Sequence, residues 1–252
     1  MGLYIIGIGL SDEKDITLKG LEIVKKADFV YLESYTSVLQ VSIEKLEKFY
    51  GKKIIKADRG LVENKPDEML ERAKKKNVAF LVIGDPLSAT THIDIMRRAE
   101  EKGVEVKVIF NASVLTAVGM AGLQLYKFGK TISIPFPDKV KTEVPYNAIK
   151  ANKKAGMHTL LLLDLDPDNK RFLSIGEAID VLLKIEKEKK ENVFAEDAFI
   201  IGCARLGSDD YIIKYGKAKD IKKIDFGNPP FCIVIPGELH FMEEEALEKY
   251  EI

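Results

Sequence analysis

Apolar runs rich in β-branched residues alternate with helical segments through the first half of this 252-residue chain, and nearly every run stops at a glycine or a polar cluster. The runs are LYIIGI (3–8), FVYLE (29–33), KKIIKA (52–57), VAFLVIG (78–84) and VEVKVIF (104–110). Between and after them, helical periodicity predicts helices over 17–27, from Ser42, from Pro66, over 91–102 and over 112–123. A strand that reads as a nearly continuous apolar run is buried on both faces, which requires helices on both sides of a mainly parallel sheet. The chain is therefore expected to be α/β, and its 46% hydrophobic content supplies the core.

The second half has a different pattern. HTLLLLDLD (158–166) is followed by a helix capped at Ser174, with Glu177 in the capping-box position, and then by AFIIGCARLG (198–207), YIIKYG (211–216) and PPFCIVIPG (229–237). The two runs flanking SDD (208–210) predict an antiparallel hairpin, so the second sheet is expected to be mixed. A boundary in the segment 124–132 divides the chain into an N-terminal domain, 1–126, and a C-terminal domain, 127–252.

Charge and cysteine usage narrow the function classes. Lys plus Arg number 39 against 40 Asp plus Glu, a net charge of -1, so no general basic field points to nucleic acid or to an anionic membrane. The N-terminus lacks the basic region of a signal peptide, and no apolar run approaches the roughly 20 residues that span a bilayer. Cys203 and Cys232 lie far apart in sequence without CxxC spacing, which predicts neither a disulfide framework nor a zinc site. A soluble protein of a reducing cytoplasm is expected.

Three polar loops follow the apolar runs: GIGLSD (7–12), GDPLSATTH (84–92) and NASVLTAV (111–118). Ligands of open α/β sheets bind outside the carboxyl ends of the strands, so these loops form one candidate rim. The first loop has two glycines of a dinucleotide fingerprint, and Glu33 stands where an acid would hold a ribose, which keeps an NAD oxidoreductase as an alternative. Asp12, however, occupies the third glycine position, and Asp15 adds a second negative charge that a pyrophosphate would meet. No Walker A loop occurs. The rim suits a ligand with hydroxyls and a positive centre better than one with several phosphates.

Other chemistry finds little support. The histidines are His92, His158 and His240, there is no GxSxG elbow, and Ser88 near His92 sits where helix capping is the commoner role. Asp164, Asp166 and Asp168 resemble the start of a calcium loop, but its glycine and closing glutamate are missing, so no metal site is expected.

Taken together and in order, YIIGIGLSDEKDITLKGLEIVKKADFVYLESYTS, GDPLSATTH, NASV, GLQLYKFGKTISIPF, HTLLLLDLD, ARLGSDD, FGNPPF and IPGELHFMEEEAL resemble the diphthine synthases, the diphthamide-pathway methyltransferases of the tetrapyrrole methylase superfamily. The resemblance covers nearly the whole chain. It implies two α/β domains, the N-terminal sheet mainly parallel and the C-terminal one mixed, with S-adenosylmethionine in the cleft between them, S-adenosylhomocysteine as product, and a homodimer. The implied substrate is elongation factor 2 bearing an aminocarboxypropyl group on a histidine. One type of enzyme in this group trimethylates the amino group and another also esterifies a carboxylate; the short chain and Lys/Glu-rich surface favour trimethylation. Implied cofactor contacts fall on Leu10, Asp85, Ser88, Ser113 and Val114, then on Leu163, Leu206 and Phe231. Phe231 replaces a histidine expected after the proline pair, which leaves a backbone contact there. The substrate carboxylate calls for a cation, with Lys127, Lys130 and Arg171 as candidates. No residue identifies itself as the proton acceptor. The remaining alternatives are a tetrapyrrole C-methyltransferase and a non-enzymatic adaptor of the elongation factor.

Overall fold

A computed structural model describes the whole chain except Lys65, Ala89 and Thr91, with Glu63 and Asn64 described in backbone only. Two members of the GDPLSATTH motif thus lie outside the described residues. Internal contacts divide the chain into two compact units, Met1–Val114 and Leu115–Ile252, where motif and composition place the boundary at 126/127.

The first unit runs β1 (Gly2–Gly7), α1 (Leu18–Lys26), β2 (Phe29–Glu33), α2 (Ile43–Tyr50), β3 (Ile54–Ala57), a π-helical turn (Gly60–Asn64), α3 (Asp67–Ala73), β4 (Asn77–Val82), α4 (Ile93–Glu101) and β5 (Val106–Ile109). The strands form one sheet in the order β3-β2-β4-β1-β5, and every neighbouring pair is parallel. Alternate side chains go to opposite faces, and both faces are covered. Leu3, Ile5, Phe80 and Val82 pack with Met69, Leu70, Ile95 and Ala99 of α3 and α4. Ile6, Val30, Leu32 and Leu81 pack with Val24, Leu46 and Tyr50 of α1 and α2. Thr17 and Ser42 cap α1 and α2, accepting the amides of Gly20 and Lys45 as the sequence predicts.

The second unit continues through α5 (Val114–Ala117), whose first residue closes the first unit, and 3-10 turns at Val118–Ala121 and Leu125–Lys127. Next come β6 (Ile132–Ile134), α6 (Val144–Lys154), β7 (Thr159–Leu163), a small ribbon of β8 (Leu165–Asp166) and β9 (Arg171–Phe172), and α7 (Ile175–Lys189). The last elements are β10 (Phe199–Ala204), β11 (Ile212–Lys217), α8 (Ala218–Ile221), β12 (Phe231–Ile235) and α9 (Phe241–Glu248). The main sheet has the order β11-β10-β12-β7-β6. It is mixed, with β6 parallel to β7 and the other pairs antiparallel. The expected hairpin is β10–β11, and the Ser174–Glu177 capping box is formed.

One expectation needs correction. The helix over 112–123 is only one turn of α-helix followed by a 3-10 turn. It is stopped by Gly122, at φ +87°, a left-handed conformation that ordinary residues adopt at a cost of about 1–2 kcal/mol. The cysteines, distant in sequence, are direct cross-strand neighbours on β10 and β12, and both are free thiols. The hydrogen bond with the adjacent Cys232 thiol, and then burial, push the Cys203 thiol well up.

A Cβ on Gly122 would stand 2.4 Å from the Cβ of Ala246 on α9. Gly122→Ala is therefore expected to lower stability by more than the backbone cost of about 1–2 kcal/mol. Adding Ala246→Gly should recover the steric part and leave the backbone part. Urea denaturation of the two single variants and the double variant measures this coupling.

Candidate functional site

In the first unit the strand order places β1 between β4 and β5, so the loops leaving these three strands emerge side by side. Strand ends leave amides and carbonyls without ladder partners, and here side chains from the loops themselves supply them. Asp15 accepts the backbone amides of Leu10 at 3.1 Å and Ser11 at 2.7 Å. Gly9, at φ +82°, lets this turn close, since a Cβ there would lie 2.2 Å from the Cβ of Asp15. The amides that a phosphate would need in this loop are thus occupied by the chain's own carboxylate. Glu33 is fully buried, and its carboxylate accepts the amide and hydroxyl of Thr36 at 3.1 and 2.7 Å. Its role in the turn after β2 removes the main support for a ribose-binding acid.

The second loop is joined to the first by a backbone pair, Gly84 N–H donating to the Gly9 carbonyl at 2.7 Å. Asp85 Oδ1 accepts the amide of Leu87 and the hydroxyl of Ser88, each at 3.0 Å, while Oδ2 accepts the amide of Asn111 at 3.2 Å. Ser88 therefore belongs to the Asp85 turn; the N-cap of α4 is His92, whose Nδ1 lies 3.0 Å from the Pro86 carbonyl. Asn111 completes the arrangement. Its side-chain amide donates to the carbonyls of Gly7 at 2.9 Å and Asp15 at 3.0 Å, and its oxygen accepts the amide of Ala112 at 2.7 Å. The structure brings Leu10, Asp85 and Ser88, all partly exposed, together with buried Ser113 and partly exposed Val114 on this rim.

The second unit gathers the other three candidates at one end of its sheet. Leu163 ends β7, Leu206 follows β10 by two residues, and Phe231 begins β12, paired with Ala204. Leu163 and Leu206 are buried and Phe231 is half-buried. Arg205, absent from the sequence-based candidates, is the centre of this end: its buried guanidinium donates to Asp210 and to the carbonyls of Phe226, Asn228 and Asp210. Asn111 was equally missed. Each could have been noticed as a polar side chain at the mouth of a buried strand, where it must find partners.

Among the candidate cations, Lys127 donates to the buried carboxylate of Glu243 and to the Glu238 carbonyl. Arg171 forms a two-pronged pair with Asp138 and stacks on Phe136, 4.0 Å from the ring centroid. Lys130 is exposed. Asp164 accepts the amides of Leu165 and Phe136, and Asp166 holds Asn169 and Lys139, so these two acids secure the exit of β7. Among the described residues, no group of His, Cys, Asp and Glu is arranged to hold a metal, and no helix is long and apolar enough to cross a membrane.

His158 belongs to a structural network. Fully buried, it accepts the Gly237 amide on Nδ1 at 2.9 Å, which makes Nε2 the protonated nitrogen facing Glu243 Oε1 at 3.0 Å. Burial lowers its pKa despite the carboxylate. Burial alone would raise Glu243, but hydrogen bonds from Lys127, Gln124, His240 and His158 outweigh it and hold the carboxyl at about 2.

Comparison with known proteins identifies the arrangement. A family model described as Tetrapyrrole (Corrin/Porphyrin) Methylases matches residues 2–222. The chain belongs to this methylase family. A diphthine synthase from Methanococcus maripaludis is 48% identical over 248 positions, covering 98% of this chain and 97% of the relative. The diphthine methyl ester synthase of Dictyostelium discoideum is 45% identical over 270 positions, covering 100% and 99%. A crystal structure of diphthine synthase superposes with a TM-score of 0.91 at 42% identity, covering 99% of this chain and 95% of that one. Within the family the chain thus groups with the diphthine synthases, and it is a methyltransferase.

His158 yields a pH prediction. The unfolded chain binds a proton on this residue near pH 6.5 and the folded chain resists it, so its contribution to stability is present above about pH 6.5 and falls as the pH drops below that value. The melting-temperature advantage of wild type over His158→Gln is expected to shrink steadily from pH 7 to pH 5. An advantage constant across that range would show that folding does not perturb His158.

Proposed function

We propose that this methyltransferase uses S-adenosylmethionine to trimethylate the amino group of the aminocarboxypropyl-histidine on elongation factor 2, releasing S-adenosylhomocysteine. The observation that carries the reading is full-length similarity to diphthine synthases. The rim of the first unit fits the donor chemically. Asp15 fills its own loop's amides, so no phosphate cradle remains, while Asp85, Ser88 and Ser113 offer oxygen atoms to an amine or a ribose diol. Leu10 and Val114, with Leu163, Leu206 and Phe231 of the second unit, offer apolar surface to the remainder. Phe231 is assigned a backbone contact.

When bound, the sulfonium supplies an electrophilic methyl group whose bond to sulfur breaks as the bond to the substrate nitrogen forms. The protein has to hold the two groups in line, and positioning carries much of the rate. The amine attacks in its neutral form, so a proton leaves it before each transfer. With Lys127 and Arg171 engaged by Glu243 and Asp138, Lys130 is the candidate of the three for the substrate carboxylate. A homodimer in the reducing cytoplasm completes the proposal, and the two free thiols suit that compartment.

Trimethylation rather than esterification is the reading that the short chain and its Lys/Glu-rich surface favour. Mass spectrometry of elongation factor 2 carrying the partial modification, after incubation with enzyme and S-adenosylmethionine, decides the matter. The expected gain is three methyl groups, all stable to mild alkali. A fourth, alkali-labile methyl would mark the ester-forming activity instead, and no gain on a correctly modified substrate would remove the substrate assignment.

A further inference from the structure

We infer that Arg205 is the positioning residue of the second unit's share of the methyl-donor site. The inference rests on the reading that Leu206 and Phe231 contact S-adenosylmethionine, and it concerns what holds them there.

Arg205 lies between the last residue of β10 and Leu206, with φ +52°, a left-handed conformation for a residue that has a Cβ. Such a backbone persists only where its surroundings over-determine it. Here they do so from both ends of the residue. Its amide donates to the Pro230 carbonyl at 2.9 Å, and its carbonyl accepts the amide and hydroxyl of Ser208 at 3.0 and 2.8 Å. The side chain, 5% exposed, then binds two separate loops. Toward 205–210, Nε donates to the Asp210 carboxylate and Nη2 to the Asp210 carbonyl, each at 2.8 Å. Toward 226–230, Nη1 donates to the carbonyls of Phe226 at 2.8 Å and Asn228 at 2.5 Å. The single Ser208 hydroxyl proton is shared between the Arg205 carbonyl and the other oxygen of Asp210, 2.7 Å away, and Ser208 and the guanidinium together hold the Asp210 carboxyl below its usual range.

The two loops are those that deliver Leu206 and Phe231. Leu206 is the next residue after Arg205, and Phe231 follows Pro230, whose carbonyl the Arg205 amide holds. One planar group with five donors in a fixed fork thus sets the spacing between two contact residues on different loops. An ammonium cannot reproduce this, because it offers its donors from a single point. Lysine at this position keeps the charge but cannot span both loops. Glycine permits the positive φ but supplies no donors.

The test measures binding of S-adenosylhomocysteine by calorimetry, and KM against kcat for methyl transfer, in the full-length protein and in Arg205→Lys, Arg205→Gly and Leu182→Ala. Leu182 is buried in the core of the second unit, so its truncation reports the effect of lost stability alone. At a temperature where all four proteins are folded, both Arg205 variants are expected to bind at least about tenfold more weakly, as expected when charge-assisted hydrogen bonds are lost. The KM for the methyl donor should rise by a similar factor with kcat changed less than about twofold, the pattern of lost uniform binding. Leu182→Ala should keep wild-type affinity. Wild-type affinity in Arg205→Lys would overturn the inference, and so would retention in Arg205→Gly, which would assign the effect to backbone conformation. An equal loss in Leu182→Ala would reduce Arg205 to a stability role. Failure of the wild-type protein to bind S-adenosylhomocysteine would instead overturn the proposed function on which the inference rests.

Discussion

Parallel strands that end side by side leave a row of backbone groups at their carboxyl ends that no further ladder can satisfy. In the first unit this constraint falls on β4, β1 and β5, and one amide side chain meets much of it. Asn111 donates to the carbonyls of Gly7 and Asp15, and its backbone N–H reaches Asp85. Asp85 and Asp15 close the remaining turns with their carboxylates. Three loops with different sequences thereby become one rim, and the candidate contact residues are fixed in place by the hydrogen bonds that the fold requires in any case.

The second unit meets a related requirement with charge. Its mixed sheet brings the end of β10 and the start of β12 together as antiparallel neighbours, so the approach to β12 has to pass close to the exit from β10. Arg205 accommodates that crossing by bonding the buried Phe226 carbonyl together with the carbonyls of Asn228 and Asp210. A neutral amide like that of Asn111 has two N–H donors on a single nitrogen, whereas Arg205 serves four acceptors, two on each loop. The two units therefore solve the same backbone problem with different side chains, and each solution depends on the strand direction around it.

The fold was legible in the sequence wherever one local signal dominated. Continuous apolar runs specified the strands of the first sheet, and Thr17, Ser42 and the Ser174–Glu177 pair located helix starts. Legibility failed where the deciding contact is distant in sequence. Gly122 ends a helical stretch in a left-handed conformation, and what leaves no room for a side chain there is Ala246, over a hundred residues later. Cys203 and Cys232 have no informative spacing, yet the antiparallel register of β10 and β12 makes them neighbours. Lys127 reads as a surface cation until α9 brings Glu243 beneath it. Residues that serve as loop ties, such as Asn111 and Arg205, were hidden for the same reason: most of their partners are backbone atoms, which carry no sequence signature.

The same distinction explains how the glycine loop should be understood. By pattern, GIGLSD is two-thirds of a dinucleotide fingerprint, opposed in sequence by the charges of Asp12 and Asp15. Their placement opposes it more specifically. Asp15 turns back into the loop and accepts the amides of Leu10 and Ser11, while Asp12 accepts the amide of Lys14. A phosphate in this loop would therefore have to displace a carboxylate from its own hydrogen bonds as well as overcome repulsion, and an unpaired, partly buried carboxylate is costly. A cationic methyl donor faces neither penalty, since the acid that would repel a phosphate leaves a negative field at the loop mouth. The loop that resembles a phosphate cradle is thus locked by its own anion, and this favours a ligand of the opposite charge.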